Sequence, residues 1–441
     1  MTLPLYDLNR PQGAQAFRSR VEQLRLASST SSEVAQKAAD IIEQVRCHGD
    51  AAIVRQMRQW ADADYTADRI RVTADELATA ERSLNPELKQ TIVKAIDHVR
   101  AYQQHIMPQA PQPLELDGAE LGLRFVPVDS VGLTVPGGSA VLFSTLIMLA
   151  VPAEVAGVKL DQISIVNPPP YRKTGEPACD ISPIVLATCR LLGLGTVYRI
   201  GGPAAVAALT YGTETVRPVD LIVGPGHPIV AAAQARVRGV TGTGDSYGAS
   251  EIVIVADDSA HLNYVAADLI AQAEHNQGKC FLVAWSASVI DQVLLAVESQ
   301  LPNQVRHKAI AAALEQGSAA LLVANPSQAV EVVNTLAPEH LTLAVQDPDE
   351  LLLQIRHAGA IFLGDQSPVA AGDYWAGPCH TLPTDTTARF ASGVSVYTFL
   401  KRTSTICYRQ GMDSVTIDAI ARLAEAESLD GHAASVRMRG E

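Results

Sequence analysis

The stretch 29–105 reads as helical, with few strand signals; Gly49-Asp50 punctuates its first two helices, and Asn85-Pro86-Glu87 has the form of a helix start. From residue 121 the pattern changes to short apolar runs alternating with helical stretches. Strands are predicted at 130–135, 162–166, 196–200 and 220–223, with helices near 144–156, 181–192, 203–210 and 228–238. A second set follows, with strands at 251–256, 280–284, 319–323, 341–345 and 360–363 and helices at 261–275, 288–299 and 327–335. This alternation is the signature of parallel sheets covered by helices, and two successive sets of similar make-up predict two Rossmann-like domains in an α/β protein. No sequence repeat is clear enough to prove duplication. The proline-rich segment 167–177 reads as a loop. The tail from about 386 reads as strand or loop, then a helix at 414–429 stopped by Gly431.

The chemistry begins on the predicted helix at 262–275. Its apolar residues Leu262, Val265, Ala266, Leu269, Ile270 and Ala273 form one stripe, and Asp268, Gln272 and His275 recur at the same steps on another. Side chains three apart on a helix are neighbours, so the Gln272 amide oxygen and a His275 ring nitrogen can point at one ion. The same spacing suits a solvated surface pair. Farther on stand Glu339-His340 at the edge of a predicted strand, Asp373 in a loop beyond another, His380, and near the end Glu427 and His432. Oxygen and imidazole donors without thiolates suit zinc or a similar divalent metal in a catalytic site.

With 441 residues the chain has room for two or three domains with ample cores. A formal net charge of −13, with no Lys/Arg run longer than two, argues against nucleic acid or an anionic membrane as the main partner. The six cysteines are scattered without a Cys-x-x-Cys pair, as in an intracellular protein that keeps them reduced. Residues 1–12 lack the apolar core of a signal peptide, and the most apolar stretch, 141–152, is too short to span a bilayer. A cytoplasmic enzyme is the expectation.

Six segments fall in the order found in histidinol dehydrogenases, and the chain resembles that family from about residue 30 to its end: LTVPGGSA at 133–140, GPG at 224–226, QAEH at 272–275, APEH at 337–340, GD at 364–365 with AGDY at 371–374, and TARF at 387–390 with LKRT at 400–403. The resemblance implies two successive NAD-linked oxidations of L-histidinol, through L-histidinal, to L-histidine. It makes Glu339 and His340 the acid/base pair and Gln272, His275, Asp373 and His432 the ligands of one zinc ion per subunit. Substrate would be contacted by Ser250, His380 and Glu427 together with Gln272, His275, Glu339, Asp373 and His432. It further implies a homodimer with shared sites, in which His432 and Glu427 act in the partner's site. The corresponding domain plan has an N-terminal arm at 1–28 and a first α/β domain at 29–130 plus 240–385 carrying most site residues. A second Rossmann-like domain at 131–239 would lie on the NAD side, and a tail at 386–441 would reach the partner.

The cofactor side departs from the family pattern. Thr134 stands where the family places a tyrosine, Ala204 where it places a glutamine and His227 where it places an asparagine, all three at NAD-contact positions. The 244–251 segment, GDSYGASE, also differs and is shortened before it. Gly242, Gly244 and Gly248 lack the spacing of a dinucleotide fingerprint, whereas Gly137-Gly138 and Gly201-Gly202 at strand ends are candidates for close backbone approach to a cofactor or for plain turns. Two other functions remain open: a relative acting on another amino or polar alcohol, and one that binds metal and ligand without redox turnover.

Overall fold

The computed structural model describes residues 3–27, 31–137, 141–171, 180–245, 247–248, 250–275 and 278–440. Gly138 and the second half of the proline-rich loop lie outside the described residues. The chain opens with strand β1 (Leu5–Asp7) and helix α1 (Pro11–Ala27), where only an arm was expected. Helix α2 (Ser32–Trp60) contains the expected break as a kink: Gly49 has φ 51° and ψ −135°, outside the helical region. Helices α3 (Ala74–Ser83) and α4 (Pro86–His105) follow, the latter capped by Asn85, whose side chain accepts from the Glu87 and Leu88 amides.

Strands β2 (Leu114–Leu116) and β3 (Ala119–Pro127) lead into the first α/β unit. Its elements are β4 (Val131–Thr134), α5 (Phe143–Ala156), β5 (Ile163–Val166), α6 (Pro183–Leu191), β6 (Thr196–Tyr198), α7 (Gly202–Tyr211), β7 (Leu221–Val223), α8 (Pro228–Val237) and β8 (Gly242–Thr243). The second unit comprises β9 (Glu251–Ala256), α9 (Leu262–Ala273), β10 (Lys279–Ala284), α10 (Ala287–Gln300), α11 (His307–Gln316), β11 (Ala319–Leu322), α12 (Pro326–Leu336), β12 (His340–Ala344), α13 (Pro348–Leu352) and β13 (Ala360–Leu363). Both sheets are parallel, in orders β6-β5-β4-β7-β8 and β1-β11-β10-β9-β12-β13. Counted within each unit, both read third, second, first, fourth, fifth. The duplication that the sequence does not prove is present as topology, with β1 added to the edge of the second sheet.

The strands read as continuous apolar runs because both faces of each sheet are covered. Val131, Leu133, Ile163 and Ile165 pack with α3 to α6, and Val166, Tyr198 and Ile222 pack with α2, α7 and α8. In the second sheet Ile252, Ile254 and Leu282 face α9 to α11, and Val253, Val255, Leu341 and Leu343 face α1 and α12. Each such side chain contributes on the order of 1.5–3 kcal/mol by leaving water. This packing regroups the expected domains: the helices of 32–105 cover the first sheet, and the N-terminal segment belongs to the second.

Beyond β13 come α14 (Val369–Tyr374), β14 (Leu400–Cys407), α15 (Ser414–Ala426) and α16 (Asp430–Arg437). Strand β14 runs antiparallel to β3 with Thr403 opposite Arg124, and β2 completes this third sheet. Gly431 does not stop the tail helix. Ser428, at φ 59°, takes the left-handed turn, and Gly431 lies inside α16. The last two helices form a small core of their own from Ile417, Ala421, Ala424, Ala433 and Val436. Among the described residues no helix is long and apolar enough to cross a membrane.

Candidate active site

The amino edge of the second sheet carries the site. Glu251 and His340 are the first residues of the adjacent strands β9 and β12, and His340 pairs in register with Ile252. Glu339 is buried just ahead of β12, and its Oε2 accepts from the Ser250 hydroxyl at 2.6 Å and the Glu251 amide at 2.8 Å. Gln272, buried in the last turn of α9, donates its Nε2–H to Ser250 Oγ at 2.6 Å, so its amide oxygen remains as the acceptor end of the group. The helix ends at Ala273, so His275 lies just past its cap. The His275 amide bonds the Gln272 carbonyl at 3.3 Å, keeping the two residues together in a tightened last turn. His275 is exposed on its outer side, while the protein on its inner side lowers its pKa through desolvation.

Asp373 is on α14 rather than in a loop. That helix returns along the sheet after β13, and Gly372 permits the approach, since a β-carbon there would stand 2.7 Å from the Phe362 ring. Asp373 Oδ1 thereby reaches 3.8 Å from His340 Nε2. His340 Nδ1 lies 3.2 Å from the Glu251 carbonyl; the carbonyl only accepts, so Nδ1 carries the hydrogen and Nε2 keeps its lone pair. Burial holds the His340 pKa below its ordinary value, with Asp373 opposing. The neutral ring therefore makes no ion pair with Glu339, 3.5 Å away. Burial pushes Glu339 up to about 8, against the lowering effect of its Ser250 hydrogen bond, and raises Asp373 as well.

His380 joins this edge to the first unit. Its Nδ1 lies 2.8 Å from the Asp373 carbonyl and its Nε2 lies 3.2 Å from the hydroxyl of Thr145, in the first turn of α5. Desolvation pulls the His380 pKa down to about 4. Ser250, Gln272, Glu339, His340, Asp373 and His380 are thus linked through direct contacts, with His275 at the rim. His432 and Glu427 are not among them. His432, on α16, lines a groove of about 590 Å³ with Met412, Ile420, Ser435, Val436 and Arg439, and Glu427 caps α15. That groove shares no residue with the Glu339–His340 cluster. Among the described residues no three His, Cys, Asp or Glu side chains converge as a metal cage. Gln272, His275 and Asp373 nonetheless form an amide, imidazole and carboxylate set that suits zinc.

Of the three positions expected to face NAD, Thr134 is buried with its hydroxyl donating to the Pro225 carbonyl at 3.2 Å. Ala204 is buried in the core beneath the first sheet, and His227 is exposed. Of the strand-end glycine pairs, Gly137 and Gly201 stand against Pro168, and Gly202 has a φ of 64° with open space around it. A β-carbon on Gly137 would stand 2.2 Å from the Pro168 carbonyl oxygen, and one on Gly201 would stand 2.6 Å from the Pro168 ring. Two contributors escaped sequence reasoning. Thr145 sits in a predominantly apolar helix, and Lys279, paired with Asp385, is a single charge opening an apolar strand.

The family model for histidinol dehydrogenase matches residues 24–440. A histidinol dehydrogenase of Thermosynechococcus vestitus is 41% identical over 425 residues, covering 95% of this chain and 97% of that one. One from Rhodopirellula baltica is 38% identical over 401 residues, covering 91% and 85%. The crystal structure of histidinol dehydrogenase from Elizabethkingia anophelis superposes with a TM-score of 0.86 at 31% identity, covering 93% of each chain.

Proposed function

The chain belongs to the histidinol dehydrogenase family of oxidoreductases, and from that premise we propose that it oxidises L-histidinol to L-histidine in two NAD-linked steps at a zinc site. The observation that carries this reading is the buried cluster in which Ser250 and the Glu251 amide aim Glu339 while His340 keeps Nε2 free beside Asp373. Gln272, His275 and Asp373 would hold the zinc from this chain, with His432 from a second copy as the fourth ligand. The bound ion would anchor and polarise the amino alcohol, and NAD would accept the hydride.

The protein's own part is proton handling and placement. His340 Nε2 takes the alcohol proton; its lowered pKa keeps it in the base form at neutral pH. Glu339, with a pKa near 8, can hold and release a proton close to the working pH, as activation of water for the aldehyde step requires. Ser250, linked to both Glu339 and Gln272, couples the acid/base pair to the metal side. His380 and Glu427 would complete the substrate contacts, and dimerisation would bring Glu427 with His432.

A second reading, a protein that binds metal and ligand without turnover, draws on Thr134 and Ala204, whose buried side chains offer no free polar group to a dinucleotide. NADH formation by zinc-loaded protein with L-histidinol separates the two. Two NADH per histidinol is the expected result. Zinc-dependent histidinol binding with no NADH would overturn the oxidative reading and leave the second.

A further inference from the structure

Beside Glu339 lies a second buried set of charges to which the proposed chemistry assigns no role. Lys279 opens β10 and pairs in register with Glu251, which opens β9. The Lys279 ammonium pairs with the Asp385 carboxylate and stands 3.6 Å from Glu251 Oε2, an atom with no hydrogen-bond partner among the described residues. Glu251 Oε1 in turn accepts from the Asp385 amide at 3.1 Å. All three side chains are enclosed, with relative exposures of 14% for Lys279, 12% for Asp385 and 4% for Glu251, so the Lys279–Asp385 pair depends on these neighbours rather than on water.

The set also fixes an improbable backbone. Asp385 and Thr386 have φ of 52° and 66°, two successive non-glycine residues in the left-handed region, which persists only where its surroundings impose it. The imposing contacts are the Lys279 ion pair, the bond to Glu251 and a 2.8 Å bond from the Gly248 amide to Thr384 Oγ1. They join the 384–386 turn to Gly248 and Glu251. The Glu251 amide and the neighbouring Ser250 hydroxyl are the two donors to Glu339 Oε2.

We propose that Lys279 is a positioning residue for Glu339, acting with Asp385 to lock the chain edge whose Ser250 and Glu251 donors aim that carboxyl group. The inference rests on the reading of Glu339 as the acid/base group. Without the ammonium, the Glu251 and Asp385 carboxyls face each other with no counter-charge, the turn loses its tether, and the two donors move.

The test uses the zinc-loaded full chain and its Lys279→Met, Lys279→Arg and Asp385→Asn variants, with kcat, KM for histidinol, zinc content and thermal midpoint measured for each. Displacing a catalytic group by about an ångström costs on the order of 100-fold, so Lys279→Met is expected to lose about 10- to 100-fold in kcat. The loss in kcat should exceed any change in KM or zinc content, which Ser250 touches only through Gln272, and Lys279→Arg should recover to within a few-fold. Asp385→Asn should show the same kcat-selective loss and carries the test if Lys279→Met does not fold. Parental kcat in Lys279→Met overturns the inference. So does a joint fall of kcat, affinity and zinc content that arginine fails to rescue. An inactive parent would instead overturn the oxidative reading itself, and this inference with it.

Discussion

At the scale of single residues, the environment decides what a side chain's chemistry amounts to. Asp268 shares a face of α9 with Gln272, and burial raises its carboxyl to about 6 from 3.8. Between these values the folded chain holds a proton that the unfolded chain has released, so folding stability falls as pH rises from about 4 to 6 and is flat above. Asp268→Asn removes that penalty. The variant is expected to exceed the parent by about 1–3 kcal/mol above pH 6 and to match it below pH 4, as read by denaturant unfolding at both pH values. Equal stability at pH 7 would show that the carboxylate has a partner worth as much as its burial costs. The site glycines teach a related lesson. From sequence Gly137 and Gly201 suit either a close approach to a cofactor or a plain turn, and each stands where a β-carbon would meet Pro168. A sequence shows that a position needs a missing side chain, but not what fills the space.

At the scale of elements, legibility follows burial. Strands β4, β5, β7, β9 and β13 lie within a residue or so of where apolar runs put them, because a strand covered on both faces leaves an unbroken apolar signature. Strand β14 escaped that logic. It is exposed along most of its length, reads LKRTSTIC, and pairs with β3 more than 270 positions earlier, a partner that no local pattern can name. Helix α11 was also missed, and Gly431 was mistaken for a stop because Ser428 adopts the left-handed turn instead. Motif order names the residues expected at the site, but not the contacts that hold them: Thr145 on α5 approaches His380 from 235 positions away. If that hydroxyl holds the imidazole for substrate, Thr145→Val, which keeps the shape and removes the hydrogen bond, should raise KM for histidinol about 3- to 10-fold at little cost in thermal midpoint, matching a bond worth about 0.5–1.5 kcal/mol. An unchanged KM would make Thr145 a packing residue only.

At the scale of the molecule, the proposed acid/base pair and three of the four proposed zinc ligands gather within one chain, and the fourth proposed ligand does not join them. Gln272, His275, Asp373, Glu339 and His340 gather on the second sheet's edge, while His432 and Glu427 sit on two helices with a core of their own. Val415 and Leu423 on the first of these helices and Met438 at the cap of the second are exposed apolar side chains that a partner surface could cover. If a second copy supplies His432, defects on opposite sides of the site must complement. His340→Asn and His432→Asn are each expected to be inactive as pure proteins, since one lacks the base and the other a metal ligand. In a mixed dimer, one site inherits both defects and the other inherits neither. Random pairing of equal amounts makes half of all dimers mixed, so co-refolded protein should recover about a quarter of parental activity. A ligand supplied within its own chain leaves both defects unrepaired at every mixing ratio, and the mixture would stay as inactive as its components.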